Sequence, residues 1–361
     1  LATTSGIAQW ASVGGVGLLS ALLCLLAGLG LNYIEARGTP AAGSRGITLM
    51  VAILVTTLGG EFMLRTAREG LTEGERSRVA IVQGNIEQRI KNRTREYRST
   101  IKRAYLQGTQ EASLDPVDLI VWPESSWPTH IATNKKQEDF GSHTAPILFG
   151  AVGYDPGRKR QYYNAAFWAE SNGILTERYD KRHLVPFGEY VPLRGILPVG
   201  KLVPNIIDLT PGTSHAPLGS ERVGVLICYD GVFPELARHS VNAGATILAN
   251  LTNDGWYGVS SGPYQHLEFY QIRAIETRRW VIRAANTGVS AFIDPAGAIT
   301  TSQPLNSAGV LRETVYKRDG LTLFAQLGDW PLALAGLFLF GSLIAPFVLS
   351  RREVDTRSVS A

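Results

Sequence analysis

One cysteine, Cys228, lies outside the membrane-like apolar stretches of this chain, in a setting that suits a nucleophile. It closes the run Arg222-Val-Gly-Val-Leu-Ile-Cys-Tyr-Asp230, where five non-polar residues, Val223 to Ile227, read as a buried strand ending at the thiol. Gly231 to Gly244 has helical character, so Cys228 falls at a strand-to-helix elbow, a place where α/β enzymes put nucleophiles. A small buried hydrophobe is the competing reading. A reactive thiol needs a base and a positive charge. Glu124 follows Trp122-Pro123 at the end of another apolar run. In apolar surroundings a carboxyl has a raised pKa and serves as a general base near neutral pH; on a surface turn it is an ordinary glutamate. Lys181 sits in the charged pentad Tyr179-Asp-Lys-Arg-His183, which runs into an apolar, proline-punctuated loop. An ammonium beside a thiolate lowers the thiol pKa and stabilises a developing oxyanion. By chemistry alone Arg182 and His183 fit that role equally well.

These residues need a scaffold, and the apolar runs supply one. Strands are predicted at 79–83, 119–122, 147–154, 162–170, 173–178, 223–228, 246–251, 281–285 and 289–294, with a hairpin turn at Gly157-Arg-Lys-Arg160. Helices are predicted at about 86–110, 233–242 and 264–279. Strands bracketing helices, with hairpins between, imply an α/β domain: a mixed sheet covered by helices. The proline- and glycine-rich stretch from Pro186 to Pro211 reads as a long functional loop. Internal repeats and low-complexity tracts are absent from the sequence.

The ends of the chain are different. Charged residues make up 18% of the 361, and mean hydropathy is +0.02, because the apolar excess is terminal. Trp10 to Tyr33 is long enough to cross a bilayer. Ile47 to Gly60 is short for a span unless it continues past Glu61, and Trp330 to Ser350 is uncharged up to Arg351-Arg352. The expected layout is 1–65, two transmembrane helices (about 10–33 and 46–64) with a cytoplasmic loop; 66–328, an extramembrane catalytic domain reached through a charged linker at 66–78; and 329–361, a last span with a cytoplasmic tail. Arg37 and Arg45 in the first loop, with Arg351, Arg352 and Arg357 in the tail, put both on the cytoplasmic side by the positive-inside rule. Leu1 would then lie outside. The chain lacks an initial Met, which suggests further spans upstream. The first segment lacks a basic n-region and a cleavage site, so it does not read as a secretory signal. Cys24 lies within the first span, so no intrachain disulfide is expected. The +4 net charge partly reflects the cytoplasmic flanks, and no nucleic-acid partner is expected.

Trp122-Pro-Glu124, Tyr179-Asp-Lys181 and Ile227-Cys-Tyr229 resemble, in order, the Glu, Lys and Cys motifs of the carbon–nitrogen hydrolase (nitrilase) superfamily. Longer strings narrow the likeness. Lys181-Arg-His-Leu-Val-Pro-Phe-Gly-Glu-Tyr-Val-Pro192, Asn253-Asp-Gly-Trp-Tyr-Gly258, Gly262-Pro-Tyr-Gln-His266 and Arg283-Ala-Ala-Asn-Thr-Gly-Val-Ser290 resemble the apolipoprotein N-acyltransferases, over about Arg78 to Gly297. The resemblance implies a nitrilase-like αββα sandwich flanked by transmembrane helices, with Glu124 as base, Lys181 as oxyanion stabiliser and Cys228 as nucleophile. Glu189 matches a supporting glutamate, Trp256 and Tyr257 an aromatic pair near the acyl-chain entrance, and Tyr229 and Asp230 flank the nucleophile. The family usually has Glu where Asp230 stands, one methylene longer. The implied reaction moves a fatty acyl chain from a phospholipid to the α-amine of a diacylated apolipoprotein through a cysteine thioester, without metal or other cofactor. The implied location is the bacterial inner membrane, multi-pass, with the catalytic domain facing the periplasm. Leu197, Val199, Leu202, Val203 and Ile206 would dip into the bilayer or pack as a loop over the sandwich. Two alternatives are a membrane-tethered amidase or nitrilase using water as acceptor, and a non-catalytic nitrilase-like assembly protein.

Overall fold

Strand β1 (Arg76–Gln83) sends Val79 and Ile81 to one side and Ala80 and Val82 to the other, and all four are buried. A strand apolar on both faces has to sit between two layers. The computed structural model describes residues 5–91, 94–141, 143–158, 161–193, 208–340, 342 and 344, and supplies those layers. The remaining strands are β2 (Leu119–Val121), β3 (Ile131–Ala132), β4 (Ile147–Tyr154), β5 (Tyr162–Ala169), β6 (Leu175–Asp180), β7 (Val223–Ile227), β8 (Ile247–Thr252), β9 (Val281–Ala285), β10 (Ser290–Ile293), β11 (Ile299–Gln303) and β12 (Gly309–Tyr316). The helices are α1 (Ala11–Glu35), α2 (Ala42–Glu69), α3 (Gln88–Lys91), α4 (Thr94–Ala112), α5 (Pro234–Asn242), α6 (Gly262–Thr277), α7 (Leu323–Leu327) and α8 (Trp330–Phe340).

One mixed sheet runs β12-β1-β2-β4-β5-β6 with β3 beside β4, and the other runs β11-β10-β9-β8-β7. Their inner faces meet through Ile81, Val121, Leu148 and Trp168 on one side and Val225, Ile227, Ala249 and Ile282 on the other. The outer face of the first sheet packs Val82, Ile120 and Phe149 against Ile101 and Tyr105 of α4. The outer face of the second packs Leu226, Leu248 and Ala291 against Leu236 of α5 and Leu267, Tyr270 and Ala274 of α6. The layers are therefore αββα. The predicted strands form, most within two residues of their expected ends. The predicted helix from Gly231 is split: a 3-10 turn (Cys228–Val232) comes first, and α5 starts at Pro234, a favoured first helical residue. Strands β11 and β12 were not anticipated, because Thr300, Ser302, Arg312 and Glu313 interrupt any apolar run. β12 forms because it pairs antiparallel with β1 over Arg76↔Tyr316 to Gln83↔Gly309, and β11 because it pairs antiparallel with β10.

Two helical segments, 7–35 and 42–69, are long and apolar enough to cross a membrane. The second continues through Glu61, so it is 28 residues long rather than short, and it takes up the first residues of the expected 66–78 linker. Leu25, Leu31, Val55, Leu58 and Phe62 project outward, as bilayer-facing residues do. Trp330–Phe340 is helical; the tail arginines and the five apolar loop residues at 197–206 lie outside the described residues, as do Lys159 and Arg160 of the hairpin turn.

Candidate active site

Strand ends bring the site together. In the parallel set β7-β8-β9, Ile227 pairs with Leu251 and Thr252 with Ala285, so Cys228, Asn253 and Asn286 emerge side by side at the C-terminal edge. Ligands of parallel α/β sheets bind at that edge. Glu124 leaves the end of β2 across the sandwich. Its turn crosses Gly150 of β4, where a Cβ would fall 2.7 Å from the Glu124 Cα, so only glycine permits the crossing. Trp122 belongs to the cluster under α4, its Nε1 donating to Thr109 Oγ1 at 3.0 Å. That ring anchors the strand end.

Lys181 directly follows β6, and its N–H donates to the Asn164 carbonyl of β5 at 2.8 Å, extending the ladder by one pair. That pairing sets the Asn164 and Lys181 side chains next to each other. The Asn164 amide donates one hydrogen to Glu124 Oε1 and the other to Glu189 Oε1, both at 2.7 Å. The Lys181 ammonium, 1% exposed, lies 2.9 Å from both carboxylate oxygens of Glu189, and Oε2 also accepts the Val185 N–H at 2.8 Å. Glu124 Oε2 accepts the Asn253 N–H at 2.9 Å, and Lys91 donates to the Glu124 carbonyl at 3.1 Å. Of the three basic residues left open by chemistry, Lys181 is the one that enters this network. Arg182 reaches His215 and the Leu236 carbonyl, and the His183 ring stacks on Phe233.

The electrostatics follow from burial among these charges. Burial raises the Glu124 pKa, with Glu189 adding to it and Lys181, Asn164 and Lys91 opposing. Burial pushes the Cys228 thiol up to about 12, Glu124 raises it further, and Lys181 and a hydrogen bond with Thr252 pull it down. Burial works against the Lys181 ammonium, but Glu124, Cys228, Glu189 and Asp230 outweigh it and hold the ammonium charged. The resting thiol is therefore neutral and has to hand its proton to a carboxylate as it reacts.

The elbow is held by Asp230. Its Oδ2 accepts the Ile227 N–H at 3.0 Å and the Tyr179 hydroxyl at 3.1 Å, and its Oδ1 accepts the His183 N–H at 3.1 Å. The shorter carboxylate is fully buried and ties the nucleophile's turn to the lysine's loop. Cys228 itself has φ +48°, a left-handed backbone that a non-glycine residue adopts only when its surroundings enforce it. Tyr229 is half-buried beside Phe233. The Tyr257 ring lies edge-on to His266, with centroids 6.0 Å apart, whereas Trp256 is 73% exposed. Among the described residues no cluster of three or more His, Cys, Asp or Glu could hold a metal ion.

The family profile for carbon–nitrogen hydrolases matches residues 78–317. This chain belongs to the carbon–nitrogen hydrolase family. Its curated relatives include the apolipoprotein N-acyltransferases of Geobacter metallireducens, 36% identical over 90% of this chain and 63% of that protein, and of Pseudomonas putida, 34% identical over 93% and 66%. The chain thus spans just under two thirds of their length. Among solved structures, a nitrilase-superfamily protein of Saccharomyces cerevisiae and the C. elegans NitFhit protein both superpose at a TM-score of 0.50 and 19% identity. They cover 67% and 68% of this carbon–nitrogen hydrolase chain, and 90% and 61% of their own, and they share its fold.

Several site residues carry no role in the sequence reading. Asn164 is the sole polar side chain between Tyr163 and Ala169, and a polar residue inside an apolar strand is the signal that marks it. Asp254, His266 and Arg283 stand in the motif strings, but their contacts link residues up to 29 apart: Arg283 to Asp254 at 2.6 Å and His266 to Asp254 at 2.9 Å. Tyr270 had no sequence signal.

Proposed function

We propose that the protein transfers a fatty acyl chain from a phospholipid to the α-amine of a diacylglyceryl-cysteine at the N-terminus of a lipoprotein. The observation that carries this reading is the hydrogen-bonded Glu124–Asn164–Glu189–Lys181 network at the sheet edge where Cys228 emerges, on a domain fastened to membrane-length helices, in a chain whose relatives bear the name apolipoprotein N-acyltransferase. Glu124 takes the Cys228 proton as Sγ bonds to the ester carbonyl carbon. The carbonyl π electrons move to oxygen, beside Lys181 and a backbone N–H of the elbow. Collapse re-forms the carbonyl and expels the glycerol oxygen, which takes the proton from Glu124 and leaves as lysophospholipid. The lipoprotein amine then attacks the thioester carbonyl carbon and gives a proton to Glu124; the C–S bond breaks to leave an amide, and the departing sulfur takes that proton back to restore the thiol. Glu189 and Asn164 hold Lys181 and Glu124 in register. Asp230 and Tyr229 support the elbow, and Trp256 and Tyr257 face the acyl chain. The domain at 66–328 would stand on the periplasmic face of a bacterial inner membrane.

Intact-mass measurement after incubation with phospholipid tests the first half. The expected result is an acyl-sized increase on Cys228, removed by hydroxylamine, and its absence from a folded Cys228→Ala protein. Adding a diacylated lipopeptide tests the second half: the acyl group should move to the peptide. Free fatty acid without acylated peptide would instead identify a hydrolase using water.

A further inference from the structure

Two side chains of α6 converge on the carbonyl of the nucleophile's own residue. The Tyr270 hydroxyl donates to the Cys228 carbonyl at 2.5 Å and accepts the Gly231 N–H at 3.1 Å. His266 Nε2 lies 3.2 Å from the same carbonyl oxygen. His266 is backed by Asp254, which is paired with the buried Arg283, and the Arg283 guanidinium lies 5.1 Å from the centre of the Tyr270 ring. The approach of Tyr270 requires Gly231, where a Cβ would fall 2.1 Å from the ring. Neither residue enters the Glu124–Lys181–Glu189 network.

A peptide group is planar and trans, so the Tyr229 N–H points opposite to the Cys228 C=O. With the carbonyl tied to α6, which packs on the outer face of the second sheet, that N–H points away from α6. As the second N–H of the 3-10 turn, ahead of the first i→i+3 donor, it has no partner within that turn. Turning the peptide over would place a carbonyl oxygen where the oxyanion has to form.

We propose that Tyr270 and His266 are positioning residues that lock the Cys228–Tyr229 peptide so that the Tyr229 N–H acts with Lys181 as the oxyanion donor. This rests on Cys228 being the nucleophile, but not on the acyl donor being a phospholipid.

Tyr270→Phe keeps the ring and deletes the hydroxyl. Two rates at Cys228 are compared in the full-length protein. One is alkylation by iodoacetamide, a displacement that forms no oxyanion. The other is acylation by a p-nitrophenyl ester, which does, read as nitrophenolate release with the matching mass increase. Acylation should fall at least about tenfold, given that losing one oxyanion donor outright costs about 10²–10³-fold, while alkylation stays within about twofold. His266→Gln provides the same comparison in a second variant, with a smaller expected loss. Unchanged acylation in both variants, or equal losses in both rates, overturns the proposal. Wild-type protein that is alkylated but never acylated by the ester or by phospholipid refutes the nucleophile assignment itself.

Discussion

At the residue scale the site is a balance of burial and charge. Glu124 is a carboxyl whose pKa burial has raised above the ordinary 4.5, so it stays protonated, and unable to act as base, until the pH exceeds that raised value. Acyl-enzyme formation should therefore decline with falling pH well before a surface glutamate would titrate. In Glu124→Gln that acid limb should vanish along with about 10²–10⁴-fold of the rate, as a pH–rate profile of thioester formation will report. Asp230 is a structural counterpart. Its replacement by alanine leaves the Ile227 and His183 N–H groups and the Tyr179 hydroxyl without their acceptor. Each buried unmet donor costs about 1–3 kcal/mol, so Asp230→Ala should lose about 3 kcal/mol or more of stability in denaturant unfolding. Retention of wild-type stability would show that water or other groups take over those donors.

At the element scale, the distinctive contact is between the membrane helices and the sandwich. Helix α1 breaks at Gly14 and Gly15, where Phe324, Trp330 and Pro331 from the far end of the chain close on it. The Trp330 indole donates to the Val13 carbonyl at 2.9 Å. Arg278 binds Gln9 and Ser12 just before the break. Gly15 has φ +66° and ψ −168°, a region held almost only by glycine, and a Cβ there would fall 2.6 Å from the Phe324 ring. Gly15→Ala should therefore cost at least about 1–3 kcal/mol of backbone strain, with the clash added. Helix and domain should loosen from each other, which limited proteolysis between α2 and β1 will detect. A cleavage pattern identical to wild type would show that the break absorbs the methyl group.

At the scale of the whole molecule, two outward-facing apolar helices and a domain with a half-buried thiol suit the lipid substrates proposed above. If the domain faces the periplasm, Thr39 between α1 and α2 lies on the opposite side of the membrane from Leu114, which is 81% exposed on the domain. With Cys24 and Cys228 replaced by serine, a cysteine at Leu114 should react with a membrane-impermeant maleimide in intact spheroplasts. One at Thr39 should react only after permeabilisation. The reverse pattern would invert the topology deduced from Arg37 and Arg45.

The sequence by itself determined the apolar runs and most of the strands, and it marked Glu124, Lys181 and Cys228 as candidates, because each is written locally: in an uncharged run, in a buried alternation, or in a motif at a strand end. It also left Lys181, Arg182 and His183 chemically equivalent. The motif likeness singles out Lys181, and tertiary structure supplies the physical reason: the β5–β6 ladder aligns Lys181 with Asn164 and directs the other two elsewhere. Asp230 was legible as a departure from a pattern, whereas its three donors come from β6, the lysine loop and β7, and only folding assembles them. Edge strand β12 has no run of its own and exists because β1 offers it hydrogen bonds. The Tyr270–His266 hold on the Cys228 carbonyl spans 38 to 42 residues and depends on the packing of α6, so no local pattern encodes it.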